Sequence, residues 1–222
     1  MRDTIQSLAG GNKIAFILIS ILLINIAYPI SELGTVAALL FIGFYLVLTG
    51  SAIYLVSSNR RLLMIATLLT VMIAVTGGIT VASGFNEPLW ELAWNASLLM
   101  QLVLVITLLV LFIIESETVT REVLFAAIAI YFLLAALFTV MYGVIESLAP
   151  GSFVASSGAE ITWQRLNYFS LVTVSTLGYG DIVPTTSVTQ SLSALEASIG
   201  TLYIAILIGR FVSLYQHDAS RR

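Results

Sequence analysis

The string Thr176-Leu177-Gly178-Tyr179-Gly180-Asp181 has residue types and spacing suited to one chemistry. Glycine lacks a Cβ, so Gly178 and Gly180 enter positive φ freely. Alternating them with Leu177 and Tyr179 lets successive carbonyls point the same way, toward an axis. A row of backbone oxygens can replace the hydration shell of a monovalent cation. The Thr176 hydroxyl adds another oxygen, and Asp181 closes the string with a carboxylate.

Long apolar elements must hold such a row. Apolar residues make up 59% of the 222 and charged ones 9%, against about a quarter charged in a soluble domain. The chain therefore reads as an integral membrane protein. A transmembrane helix needs about 17–25 apolar residues. The runs Lys13–Ile30, Thr35–Val56, Leu62–Val81, Ala93–Ile114, Val123–Ser147 and Ser191–Leu214 meet that length. Trp163–Ser175 is shorter and reads as a re-entrant half-helix, which is tolerated where it is buried in protein or lines a cavity. The expected fold is all-α, with six transmembrane helices, one re-entrant helix and a loop. Without cysteine there is no disulfide framework or thiolate metal site. The net charge of −3 and the lack of a basic patch give no sign of nucleic acid.

Tyr168 to Pro184, YFSLVTVSTLGYGDIVP, resembles the potassium-channel pore family. The resemblance implies an outer helix, a pore helix, a filter and an inner helix. It makes Thr176, Leu177, Gly178, Tyr179 and Gly180 the selectivity filter. Potassium would be held by the carbonyls of Thr176, Leu177, Gly178 and Tyr179 and by the Thr176 hydroxyl. No other cofactor is implied. The family uses four filters around one axis and this chain has one, so a homotetramer closed by heterologous contacts is implied. Asp181 and Tyr168 are the expected filter supports, with the Tyr168 hydroxyl donating to Asp181 or its ring serving as plain aromatic packing. Leu177 replaces the usual valine and should turn away from the axis, into the half-helix. Val172 stands where some members carry a carboxylate. Gly200 falls at the family's inner-helix hinge, although close packing explains a mid-helix glycine equally well.

Two parts follow, residues 1–115 as a four-helix domain and 123–215 as the pore domain. Thr162 is a plausible N-cap for the half-helix, with Ser157 and Glu160 as an alternative capping box. The helix C-terminus would turn its partial negative charge toward a central cavity. Helical spacing puts Thr201, Ile204, Ile208 and Val212 on one face of the last helix, lining an inner vestibule. Glu196 lies one turn before Gly200 in an apolar span, where a charge is costly. It reads either as a proton-sensitive brace behind the filter or as a hydrogen-bonded packing residue. Glu146 and Glu160 read as loop charges, solvated or adding negative potential at the outer mouth.

With six spans both termini share a side. Arg2, Lys13, Arg60, Arg61, Arg121, Arg210, Arg221 and Arg222 fall there and only Arg165 falls opposite, so both termini are expected in the cytoplasm of a multi-pass cell-membrane protein. Trp90 and Trp94 would mark the outer interface, and Ala74, Gly78 and Ala82 would line a helix contact.

Rival readings are weaker. Gly178-Tyr179-Gly180-Asp181 fits the motif of intramembrane aspartyl proteases, but the other aspartates, Asp3 and Asp218, lie near the termini. A potassium-uptake subunit would carry four degenerate filters in one chain, and a weakly selective cation channel sits badly with an intact Thr-x-Gly-Tyr-Gly. From Leu62 to Thr120 there is no Lys or Arg, so the arginine ladder of a voltage sensor is missing. Flux through reconstituted protein is therefore expected to change little in conductance with membrane potential. A steep rise of open probability over a few tens of millivolts in bilayer recordings contradicts this.

Overall fold

The structure is a computed structural model that describes residues 12–28, 47–83 and 87–219. The chain is mostly helical. In order it forms α1 (Lys13–Ala27), α2 (Arg60–Ala82), α3 (Pro88–Glu115), α4 (Arg121–Leu148), β1 (Phe153–Ala155), α5 (Trp163–Val174), β2 (Ile182–Pro184) and α6 (Ser187–Ala219). Residues 47–55 are also helical.

Four helices are long and apolar enough to cross a membrane: Arg60–Thr80, Pro88–Glu115, Arg121–Leu148 and Ser187–Tyr215. The first expected span appears as α1, whose 15 residues are short for a crossing. Most of the second, residues 35–46, lies outside the described residues. Six expected spans thus correspond to four among the described residues. The described residues fall into two compact units, one within Met1–Ser116 and Thr120–Ile130, the other within Glu117–Val119 and Tyr131–Arg222.

In the first unit α2 packs on α3. Ala66, Leu69, Ile73, Thr76 and Thr80 are buried at alternating three- and four-residue spacing, one stripe of a helix. The buried hydroxyls are satisfied within the helix, Thr76 donating to Met72 O at 2.6 Å and Thr80 to Thr76 O at 2.9 Å. The expected small-residue face is displaced by one position. Ala74 and Gly78 are exposed, and it is Gly77 that meets a neighbour. A Cβ there would lie 3.0 Å from the Trp94 indole nitrogen. Trp94 is thus partly a packing residue. The charged end of α1 is also tied down, Lys13 donating to Ser58 Oγ at 2.9 Å with its ammonium 5.7 Å from the Tyr54 ring centre.

The core of the second unit is aromatic. Tyr142 of α4, Phe153 of β1 and Phe169 of α5 meet edge to face, with centroids 5.1, 5.4 and 5.2 Å apart. Such pairs add about 0.5–1.5 kcal/mol each beyond area burial. Phe138, Ala155, Leu166 and Ile182 complete the cluster, and Tyr168, Leu192 and Ile199 are among the residues packed against it.

β1 and β2 pair antiparallel, with Phe153, Val154 and Ala155 opposite Pro184, Val183 and Ile182. The ladder runs on at both ends, as Ser156 N–H donates to Asp181 O at 2.8 Å and Thr185 N–H to Ser152 O at 2.9 Å. Glu146 shapes the approach to β1. Its carboxylate accepts from Gly151 N–H at 2.7 Å and Phe153 N–H at 3.0 Å, while Gly151 takes φ +86°. A residue read from sequence as a free loop charge is therefore a backbone anchor. Replacing Glu146 by Ala strands two backbone donors and is expected to lower stability by about 1–2 kcal/mol. Thermal unfolding of the purified protein checks this, with Glu146→Gln expected between the two.

Candidate functional site: the loop between the pore helix and β2

α5 supplies the base of the site. Its N-cap is Thr162, in extended conformation, whose hydroxyl accepts from Arg165 N–H at 3.5 Å. Ser157 instead takes Ala159 N–H within the preceding turn, so the alternative capping box does not form. The helix ends at Val174, and the chain reverses through Ser175.

The next N–H groups all return to the helix. Thr176 N–H donates to Thr173 O at 2.9 Å, Leu177 N–H to Val172 O at 3.0 Å and Gly178 N–H to Val172 O at 3.3 Å. These bonds satisfy carbonyls that a helix end leaves open. They also orient the loop, because the N–H side faces the helix and the carbonyl side is turned away. Among the described hydrogen bonds, none uses the carbonyls of Thr176, Leu177, Gly178 or Tyr179 as acceptor. Thr176, Gly178 and Gly180 have φ of +59°, +55° and +78°, and neither Leu177 nor Tyr179 has positive φ. This alternation lines up successive carbonyls on one side. The glycines adopt it without penalty. Thr176 does not, since a β-branched residue at positive φ is a genuine outlier and costs on the order of 1–3 kcal/mol. Only a hydroxyl-bearing residue adds a further oxygen at that point, and nothing in the sequence pattern flags the strain.

Every residue from Ser175 to Asp181 is exposed in the single chain. Leu177 is not buried against its own half-helix as expected, since the residue is 55% exposed in the single chain. The turn pins its N–H to α5, which leaves the side chain on the chain's outer face. Tyr168 is partly buried against the aromatic cluster. Asp181 is held through its carbonyl by Ser156.

α6 runs beside this loop and contacts α5 and β2. Thr201, Ile204, Ile208 and Val212 are exposed along it, and the Thr201 hydroxyl donates to Ala197 O at 3.1 Å. Glu196 is fully buried. Tyr142 donates to its Oε2 at 2.6 Å, and its Oε1 is hydrogen-bonded to Ser170 of α5. Gly200 faces the end of α5. A Cβ built there would collide with Val174 O and lie 2.9 Å from Val174 Cγ2. Close packing at the foot of the loop is thus a sufficient reason for this glycine.

Gly200→Ala separates packing from flexibility. In an open helix the change would stabilise by about 0.8–1.0 kcal/mol. Here a backbone oxygen stands in the way, so α6 must move. The expected outcome is a lower unfolding temperature in detergent, and a raised one contradicts the packing contact.

Comparison with known proteins agrees with this geometry. The pattern of a family described as "Ion channel" matches residues 144–217. "Two-pore potassium channel 4" of Arabidopsis thaliana is 52% identical over 46 residues, covering 21% of this chain and 16% of the relative. "Two pore potassium channel c" of Oryza sativa subsp. japonica is 38% identical over 64 residues, covering 29% of this chain and 14% of the relative. The matched stretch is thus about a sixth or less of these relatives' length. No solved structure matches significantly. These likenesses are to channels and speak against reading Gly178-Tyr179-Gly180-Asp181 as a protease motif. Residues 144–217, which contain the exposed loop, are thus similar to an ion-channel family and in part to two plant potassium channels.

Proposed function

We propose that the protein is a passive, potassium-selective channel that assembles as a homotetramer in a cell membrane. The observation that carries this reading is the alternation of φ sign from Thr176 to Gly180 with the N–H groups of Thr176, Leu177 and Gly178 bonded back to α5. It leaves a row of carbonyl oxygens with no donor. Such oxygens are costly in a bilayer and become favourable when they replace an ion's water shell. One chain supplies one row, and a ring needs several. Cyclic symmetry closes the ring with identical contacts.

The filter in this reading is Thr176, Leu177, Gly178, Tyr179 and Gly180, supported by Asp181 and Tyr168. The exposed α6 residues Thr201, Ile204, Ile208 and Val212 line the route below it, and their apolar side chains suit a constriction that closes by dewetting. The chain crosses the membrane six times with both termini in the cytoplasm. Without an arginine ladder it is not steeply voltage-gated. The names of the Arabidopsis and rice relatives support potassium as the ion.

The test is flux from liposomes of purified protein. Potassium and rubidium are expected to pass and sodium to be excluded, and cross-linking is expected to stop at four chains. Equal passage of sodium and potassium, or a monomeric particle, overturns the proposal.

A further inference from the structure

Resting on the filter reading above, we infer that Glu196 is a positioning residue for the filter, acting as a hydrogen-bonded brace between α6, α5 and α4. Four observations converge on it. Glu196, Tyr142 and Ser170 are all fully buried, each at 0% exposure. The carboxyl joins three elements, accepting from Tyr142 of α4 at 2.6 Å and sharing a hydrogen bond with Ser170 of α5. Ser170 in turn donates to Ala135 O of α4 at 2.8 Å. One turn further along both helices, Gly200 closes on Val174. The pairs Ser170–Glu196 and Val174–Gly200 are offset by the same four residues on each helix, about one turn. They form two adjacent rungs between α5 and α6. Val174 stands two residues before Thr176, so these rungs set the height and tilt of the filter's inner end.

The donors can be counted. The Ser170 hydroxyl has one proton and two acceptors in reach, Ala135 O and Glu196 Oε1. All the bonds are met together when Ser170 donates to Ala135 O and Glu196 donates to Ser170 while accepting from Tyr142. The titratable groups facing Glu196 are Tyr142 and, further off, Tyr131. Among the described residues no cation pairs with it. An ionised carboxylate with no cation beside it would be a costly occupant of such a site, whereas a group that both donates and accepts fits it. Glutamine is the isosteric mimic of that group, with its amide N–H donating to Ser170 and its oxygen accepting from Tyr142.

The experiment uses the full chain in liposomes, comparing wild type, Glu196→Gln, Glu196→Leu and Tyr142→Phe. Glu196→Gln is expected to keep the potassium-to-sodium flux ratio within about twofold of wild type. Glu196→Leu is expected to lower it about tenfold, the scale of one lost buried hydrogen bond, with Tyr142→Phe between, all at unchanged oligomer size. Infrared difference spectra at neutral pH, wild type minus Glu196→Gln, are expected to show the carbonyl band of an undissociated carboxyl group. A wild-type ratio in Glu196→Leu, a loss in Glu196→Gln as large as in Glu196→Leu, or carboxylate bands alone overturn the brace. A wild type that passes sodium freely while keeping the undissociated band overturns the potassium-channel reading and leaves the hydrogen-bonded group in place.

Discussion

Backbone oxygens without protein donors are the constraint around which the second unit is organised. A carbonyl that faces hydrocarbon unpaired costs several kcal/mol. The turn after α5 produces several in succession, because it spends its N–H groups on the helix's own open carbonyls. The same bonds that finish the helix therefore manufacture the oxygen row. Helix capping and the exposure of these oxygens are two faces of one strip of backbone, and neither can be altered alone.

A strip held by single bonds at its edge would wander. The surrounding structure supplies rigidity from three directions. The Tyr142–Phe153–Phe169 rings lock α4, β1 and α5 together behind the strip. The short ladder between β1 and β2 fixes its far end. The near end rests on α6 through Gly200 and Val174. Thr176 can be kept at an unfavourable φ because these supports over-determine its position.

Much of this was legible in the residues and some was not. The positive φ of Gly178 and Gly180, the half-helix and its Thr162 cap were readable, because glycine spacing and capping are local. The burial of Glu196 was also readable, since the apolar span around it leaves a carboxyl few alternatives. Its partners were not, as Tyr142 and Ser170 lie on other elements and only the fold brings them near. Glu146 looked like any loop charge. Its role depends on a chain reversal at Gly151 that no periodicity announces. The contact face of α2 was misread by one position. Ala74 and Gly78 have the right size and spacing, but the stripe through Ile73, Thr76 and Thr80 is the one that turns inward. Small residues permit close approach and do not decide its direction. Two apolar runs were read as spans of equal standing with the rest, yet α1 is short and residues 35–46 lie outside the described part of the chain.

The pairing of β1 with β2 has a topological consequence. Ala155 opposite Ile182 turns everything between them, half-helix and oxygen row together, into one lasso tied at its neck. A lasso of fixed circumference shares out its slack. A residue gained or lost in the descending arm, Ser156–Ile161, can be absorbed as an altered bow in solvent. The ascending arm, Ser175–Asp181, is tied to α5 through the N–H groups of Thr176, Leu177 and Gly178 and to Ser156 through Asp181 O, and has less slack to give. Drift in length among kin of this chain should therefore collect in the arm before α5, leaving the arm after it at a constant count.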